Sequence, residues 1–419
     1  MKKKNLLVVL IMLVFFVISF LTNILGALNQ KVSVSFTLTE TLAGLLPFAF
    51  FIAYGVMSIP FGFFVEKYGE KRIMILAFIM AFAASLVFAV FPVFDVFIVS
   101  LFTIGAGMAA LQVVINPLLR VSGGEANYAF YSVMGQLVFG LASFISPQMY
   151  SYFVVNIDEK NLNKPLIDLM SQLVPENMSW VSVYWAFAAI AILMGVIIFF
   201  VKFPKVELQE DEKVGSKDSF LELIKNKYVI LYFLGIFMYV GSEQGISYWL
   251  SKFLNIYHNI DPDLAGADAV SYFWGLMTVG GILGLVLMKL FDSKQILRWF
   301  TILAIICLAA GLFGSVNIAL WALPVSGFFL SVMYPTIVSL GLNSVAKHHG
   351  SFAGILMTGI AGGAIVQIVI GAISDFSSLR VGMMLIFLTL GYILSISFWA
   401  KPLVNNKTVS LKELFARKA

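Results

Sequence analysis

Apolar stretches long enough to cross a bilayer recur twelve times in this chain, and few folds can follow from that. The runs lie near residues 5–28, 40–65, 73–92, 95–119, 128–154, 181–201, 228–250, 268–291, 296–316, 318–342, 351–374 and 380–400. A hydrocarbon core of about 30 Å needs about 20 apolar residues in helical form. No water is present there to satisfy free backbone groups, so a spanning segment is a helix or part of a closed barrel. Barrel strands read as shorter, alternating segments. The expected fold is therefore an all-α polytopic membrane protein with 12 transmembrane helices. Composition agrees, since 60% of the 419 residues are hydrophobic, 12% are charged and Phe occurs 40 times. Soluble domains run near half apolar and a quarter charged.

The chain opens Met1-Lys-Lys-Lys-Asn5 and then stays apolar to about Leu28. A basic start suggests a signal peptide, but the run is too long and lacks a small-x-small cleavage site, so it reads as a retained first helix. With both termini in the cytoplasm, 22 of the 27 Lys and Arg fall in cytoplasmic segments. The other five are Lys31, Lys160, Lys164, Lys252 and Arg380. This bias sets the orientation and points to a multi-pass protein of the cell's inner (plasma) membrane. The net charge of +5 is then a topology signal, aided by anionic lipid, and the lipid bilayer is a partner. Nucleic acid is not, because no basic stripe with interleaved aromatics exists. Trp180, Trp185, Trp249, Trp299, Trp321 and Trp399 lie near expected helix ends, as an interfacial aromatic belt would. Trp274 sits deeper.

The one long, highly charged connection, 202–227, holds Glu207, Gln209, Glu210, Asp211, Glu212 and Lys213. It divides the chain into a six-helix bundle at 1–201, a cytoplasmic linker, a second bundle at 228–400 and a cytoplasmic tail at 401–419. The bundles carry matching marks. Gly62 is followed by Glu66, Lys67, Gly69, Glu70, Lys71 and Arg72, and Gly284 by Lys289, Asp292 and Lys294 at corresponding distances. The fourth run carries Asn116-Pro117 and the tenth Tyr334-Pro335; the fifth carries Gly135 and Gly140, the eleventh Gly359, Gly362, Gly363 and Gly371. Glycines let membrane helices approach closely, and a mid-helix proline removes a backbone bond and kinks the helix. Paralleled groups of six are the plan of alternating-access carriers, and the charged segment at 62–72 is the expected conformational latch.

That segment resembles the major facilitator signature, with Glu66 where an Asp is usual. The stretches Leu111-Gln-Val-Val-Ile-Asn-Pro117, Tyr239-Val-Gly-Ser-Glu243, Met333-Tyr-Pro-Thr-Ile-Val-Ser-Leu-Gly341, Met357-Thr-Gly-Ile-Ala-Gly-Gly-Ala-Ile-Val366 and Gly371-Ala-Ile-Ser-Asp375 resemble the fucose–proton symporter family of sugar transporters. The resemblance runs from the first helix to the twelfth. It implies two six-helix pseudo-symmetric bundles and a sugar substrate. The family's acid in the first helix aligns with Gly26 and its Glu in the fourth with Gln112, neither of which carries a proton. Gln in the latter place also occurs in glucose and galactose members, so the resemblance keeps the sugar and withdraws the fucose symporter's coupling pair.

An ionisable group inside a membrane helix is costly and is a functional candidate by default. Glu243 is the one acid well inside an expected helix. It can accept a proton, ligate Na⁺ with nearby carbonyls, bond a sugar hydroxyl, or simply tie two helices together. Asn23, Gln112, Asn116, Gln136, Gln244, Tyr334 and Gln367 are neutral polar groups near mid-membrane, and amides offer donors and acceptors together to a hydroxyl-rich ligand. Tyr239, Tyr272 and Trp274 offer apolar faces for a sugar ring.

Other constellations carry little. His348-His349 and the isolated His258 have no metal-ligand spacing. No phosphate-binding glycine loop exists, which speaks against ATP-driven transport. Cys307, the single cysteine, is helix filler, and Asn177-Met-Ser179 matches a glycosylation sequon by chance. No cofactor is expected. The chain is expected to import a small neutral solute, a monosaccharide, by alternating access with H⁺ coupling at Glu243. Na⁺ coupling or uncoupled passage stays open. Rival readings are an exporter of drugs or other amphiphiles, a sensor, for which the 26-residue linker and 19-residue tail leave no signalling domain, and a membrane enzyme, for which no nucleophile–base set is present.

Overall fold

The computed structural model describes residues 2–124, 128–161, 163–204, 217–345 and 347–403. Twelve of its helices are long and apolar enough to cross a membrane, one for each apolar run: α1 (Leu6–Ser35), α2 (Glu40–Tyr68), α3 (Glu70–Val90), α4 (Phe94–Gly123), α5 (Phe130–Asp158), α6 (Ser179–Phe200), α7 (Lys227–His258), α8 (Ala265–Leu290), α9 (Ser293–Phe313), α10 (Val316–Leu342), α11 (Gly350–Phe376) and α12 (Leu379–Trp399). The described residues include no strand. Several helices outrun their apolar stretches, α1 through Lys31 and α7 through Lys252, because backbone hydrogen bonds continue where hydropathy falls. Two short helices were not expected: Pro165–Leu173, between α5 and α6, and Lys217–Ile224, just before α7. The second lies in the expected linker; its residues 207–213, the tail beyond Leu403 and the side chain of His349 fall outside the described structure.

Local chemistry starts and stops these helices. Thr39 caps α2 by accepting from the Leu42 amide, Asn226 caps α7 and Asp292 caps α9. Gly69, at φ +82°, turns the chain between α2 and α3 in a conformation side chains avoid. Pro117 sits inside α4, as expected. Pro335 goes further and breaks its helix: α10 is interrupted at Ser331–Val332, where the Ser331 carbonyl would have needed the N–H that Pro335 lacks, and Pro335 falls in the first turn of the segment that follows. α1 is likewise interrupted at Asn23–Ile24, and α11 by a 3-10 turn at Gly359–Ala361.

The helices pair by one rule applied twice. α1 packs on α5, α2 on α4, α3 on α4 and α6; adding six to each number gives the pairs α7–α11, α8–α10, α9–α10 and α9–α12, all of which occur. The two groups meet along α2–α11, α5–α8 and α1–α7. Two tryptophans depart from the expected aromatic belt. Trp180 is fully buried against Phe88 and Phe97, with Nε1 donating to Ser35 Oγ at 2.9 Å. Trp249 is fully buried within α7. Closeness to a helix end in sequence does not decide which face of the helix a side chain takes.

Candidate functional site

A cavity of about 810 Å³ lies between the two groups of six. It reaches from mid-helix polar residues to Ser132 at the start of α5 and Asn343 just past α10, so it opens at the end where α2, α4, α8 and α10 finish and the 66–72 segment lies. Three helix interruptions contribute to its wall, through Asn23, Ser331 and Ile360; a fourth, at Met384 in α12, does not.

Of the residues expected at the site, Asn23, Gln112, Gln136, Tyr239, Glu243, Gln244, Trp274 and Tyr334 line this cavity. Glu243 is the one carboxylate or cation among the lining residues. Its Oε1 accepts a hydrogen bond from Tyr239 Oη at 3.0 Å, one turn earlier on α7. The Tyr239 ring lies 5.8 Å from that of Tyr334. Tyr334 Oη donates to Met357 Sδ at 3.2 Å, a weak acceptor that a hydroxyl-bearing ligand would outbid. Asn23 Nδ2 donates to Ser143 Oγ at 2.8 Å and to Ser19 Oγ at 3.3 Å, leaving its oxygen as the remaining acceptor. Trp274 is 5% exposed, and its buried indole N–H has no partner; neither has the Ser132 hydroxyl. Buried donors seldom go unpaired, and both of these line the cavity.

Three of the expected residues stand outside this cavity. Gln367 is fully buried and outside the cavity: its Oε1 accepts from Trp249 Nε1 at 2.9 Å, and its Nε2 points at the Gly241 carbonyl, tying α11 to α7. Asn116 is exposed and lies outside the cavity wall, about one turn beyond Gln112 on α4. Tyr272 stacks on Trp321 at 6.0 Å on the exposed flank of the protein.

The opposite end of the cavity is shut, and this gate is what sequence reasoning missed. Backbones meet directly where glycines allow it: a Cβ on Gly26 would strike the Ser247 carbonyl of α7, and one on Gly371 the Glu40 carbonyl of α2. The Gly26 position is therefore a contact point between α1 and α7 as well as the place of a missing acid. Around these contacts lie polar clasps. Lys252 Nζ, whose side chain is 5% exposed, bonds Glu40 Oε2 at 2.6 Å and Ser33 Oγ at 3.1 Å. Asp375, at the end of α11, accepts from the Glu40 amide at 2.7 Å, the Thr41 amide at 2.9 Å and the Thr41 hydroxyl at 2.5 Å, so it caps α2 from the other group. Lys31 bridges Asp158 at 2.5 Å and Asp263 at 3.2 Å, and Tyr150 Oη donates to Asp263. Burial pushes the Asp263 carboxyl above its ordinary value, against the opposing pull of Tyr150 and Lys31. Lys252 lies beyond the apolar run of α7, where hydropathy falls, yet Ser247, Ser251 and Asn255 continue one polar face of that helix around it. Asp375 and Glu40 are 335 residues apart, and no local pattern joins them.

At the open end, Gly62 is buried in α2, and Glu66, Lys67 and Arg72 are exposed. Lys71 Nζ donates to the carbonyls of Phe199 and Val201, both at 2.8 Å, and so finishes α6 within its own group. Lys67 lies over the Tyr68 ring at 5.1 Å.

A central cavity between two six-helix groups paired by one rule, open at one end and clasped at the other, is the build of a secondary transporter. Residues 10–366 match the Major Facilitator Superfamily, and the chain belongs to that family. It is a transporter and not an enzyme. It is 29% identical to a glucose/galactose transporter of Brucella abortus over 390 residues, 91% of this chain and 90% of the relative. To the L-fucose-proton symporter of Escherichia coli it is 28% identical over 382 residues, 86% of this chain and 85% of the relative. The fold matches solved structures of FucP in the outward conformation (TM-score 0.67, 23% identity, 94% of this chain and 98% of that one) and of a bacterial homologue of the human lysosomal transporter Spinster in an inward-facing, unoccupied conformation (TM-score 0.79, 14% identity, 95% and 97%).

Proposed function

We propose that this chain imports a neutral monosaccharide across the cytoplasmic membrane by alternating access, with proton coupling through Glu243. The observation that carries the reading is the cavity wall: set among aliphatic side chains, amides, hydroxyls and aromatic rings accompany a single carboxylate, Glu243. Such a wall suits a polar but uncharged ligand. The names of the relatives, which carry glucose, galactose or L-fucose, point to the same class. The lining amides Asn23, Gln112, Gln136 and Gln244 would bond sugar hydroxyls, and Tyr239, Trp274 and Tyr334 would pack against the ring. Residues 1–201 and 228–400 are the two rocking halves, joined by 202–227, with the tail 401–419 beyond them.

Basic residues concentrate at the cavity-mouth end, which supports a cytoplasmic side there with both termini on it. The gate then faces outward. The higher TM-score to an inward-facing structure than to an outward-facing one, at lower sequence identity, supports the same state. Gly62, Glu66, Lys67, Gly69, Lys71 and Arg72 form the inner latch, which would engage the second half when the cavity faces out.

Counterflow of labelled D-glucose, D-galactose and L-fucose in proteoliposomes tests the assignment, comparing wild type with Glu243→Gln. Exchange of one of these sugars, kept in Glu243→Gln while pH-driven accumulation is lost, is the expected result. Accumulation that follows a Na⁺ gradient, or that persists in Glu243→Gln, moves the coupling elsewhere. No exchange of any sugar by folded protein ends the monosaccharide reading and favours an exporter of amphiphiles.

A further inference from the structure

The connection between α5 and α6 folds back along the protein. Its helix Pro165–Leu173 turns Ile167 and Met170 inward, where they pack with Phe153 and touch Trp185. Both ends are pinned inside the adjoining spans rather than beyond them. At the start, Lys164 Nζ bonds Asn156 Oδ1 at 2.7 Å and lies over the Tyr152 ring at 4.8 Å. At the finish, Trp185, about two turns into α6, donates from Nε1 to the Leu173 carbonyl at 3.1 Å. The helix therefore lies against the flank of α5 and α6, near their gate-side ends.

Its outer face is apolar as well. Leu166, Leu169 and Leu173 recur at helical spacing and are 49%, 53% and 39% exposed. Asp168, Ser171 and Gln172 occupy the remaining side. Tyr152, 44% exposed under Lys164, sets an outward-facing aromatic of α5 beside the start of the helix. Amphipathic aromatics and a lysine extended over a ring are groups that settle at the membrane–water boundary.

We infer that Pro165–Leu173 is an interfacial helix that seats Leu166, Leu169 and Leu173 in the headgroup–acyl boundary of the gate-side leaflet. The occupant is lipid because the stripe is continuous with the surface that the spans already present to the bilayer. Three half-exposed leucines fall far short of the roughly 800 Å² per partner that a stable dimer buries. The second group of six has no counterpart: only residues 377–378 join α11 to α12. The helix thus holds the first group to one leaflet and leaves the second free to tilt.

The test is a nitroxide at Leu169→Cys in a Cys307→Ser background, reconstituted in phosphatidylcholine vesicles, with labels at Leu166→Cys and Gln172→Cys alongside. Labels at 166 and 169 should collide with oxygen several-fold more than with a water-soluble nickel chelate, and the label at 172 should reverse that ratio. Nickel collisions at 166 and 169 matching those at 172 overturn the proposal, as does spin–spin broadening that reveals a second copy on the stripe. Either leucine label suffices should the other disturb folding, which size-exclusion behaviour reports.

Discussion

Trp274 and Gln367 show why a polar group's role cannot be read from its type alone. Trp274 is expected as an apolar face and Gln367 as a mid-membrane polar group, yet the first lines the cavity with a buried, unpaired N–H and the second spends its amide on a neighbouring helix. Which face of a helix a side chain takes depends on how α7 and α11 dock, and that is invisible in one sequence. Trp274→Phe should lower apparent sugar affinity about three- to tenfold, the worth of one neutral hydrogen bond. It should lower the thermal midpoint only slightly, because removing an unpaired buried N–H offsets part of the packing that the smaller ring gives up; counterflow kinetics and thermal unfolding in detergent read the two effects. Gln367→Leu should do the reverse. It strands the Trp249 N–H in a dry contact at a cost of about 1–3 kcal/mol, so the midpoint falls by a few degrees while sugar affinity holds. A loss of affinity in Gln367→Leu without a loss of stability would restore the residue to the binding site.

Helix number and extent were legible because lipid imposes length and composition on every span. Helix interruptions were legible only in part: Pro335 offers no N–H to the Ser331 carbonyl four residues back and crowds it, which accounts for the break at Ser331–Val332, whereas Asn23–Ile24 has neither Gly nor Pro to announce it. The gate was hidden because its contacts join helices hundreds of residues apart. At Gly26 the α1 and α7 backbones leave no room for a methyl group, so Gly26→Ala should hold the gate ajar. Asp375→Ala removes a charged trans cap bonded to two amides and a hydroxyl, and should shift the open-to-closed ratio at least tenfold, given about 1.5–3 kcal/mol for a hydrogen bond to a charged group. The check for both is alkylation of Ser247→Cys, in a Cys307→Ser background, by an impermeant maleimide added on the gate side. Faster labelling with normal expression is expected; unchanged labelling would mean that the clasp does not set the equilibrium.

On the scale of the molecule, the matching glycine and charge marks anticipated a repeat, and the offset-by-six helix pairing supplies its physical form. What the marks could not give is the seam, where α2 meets α11, α5 meets α8 and α1 meets α7. Each group satisfies most of its contacts internally, and membrane helices that have inserted independently can associate afterwards. Fragments 1–204 and 217–419 made as separate chains should therefore assemble and retain at least a tenth of sugar exchange, measured after co-purification through a tag on one fragment. Two inserted fragments that fail to co-purify would show that the seam needs a covalent tether.

The bond between Tyr239 and Glu243 spans a single turn of one helix, so it travels with that helix whichever way the carrier faces. A proton lodged on Glu243 would keep the same hydroxyl beside it throughout the cycle. What changes around the carboxyl is hydration: wet while the cavity is open, dry while both ends are shut. Ferrying charge across the bilayer would then need no exchange of that partner, merely a dehydrated interval between two aqueous ones.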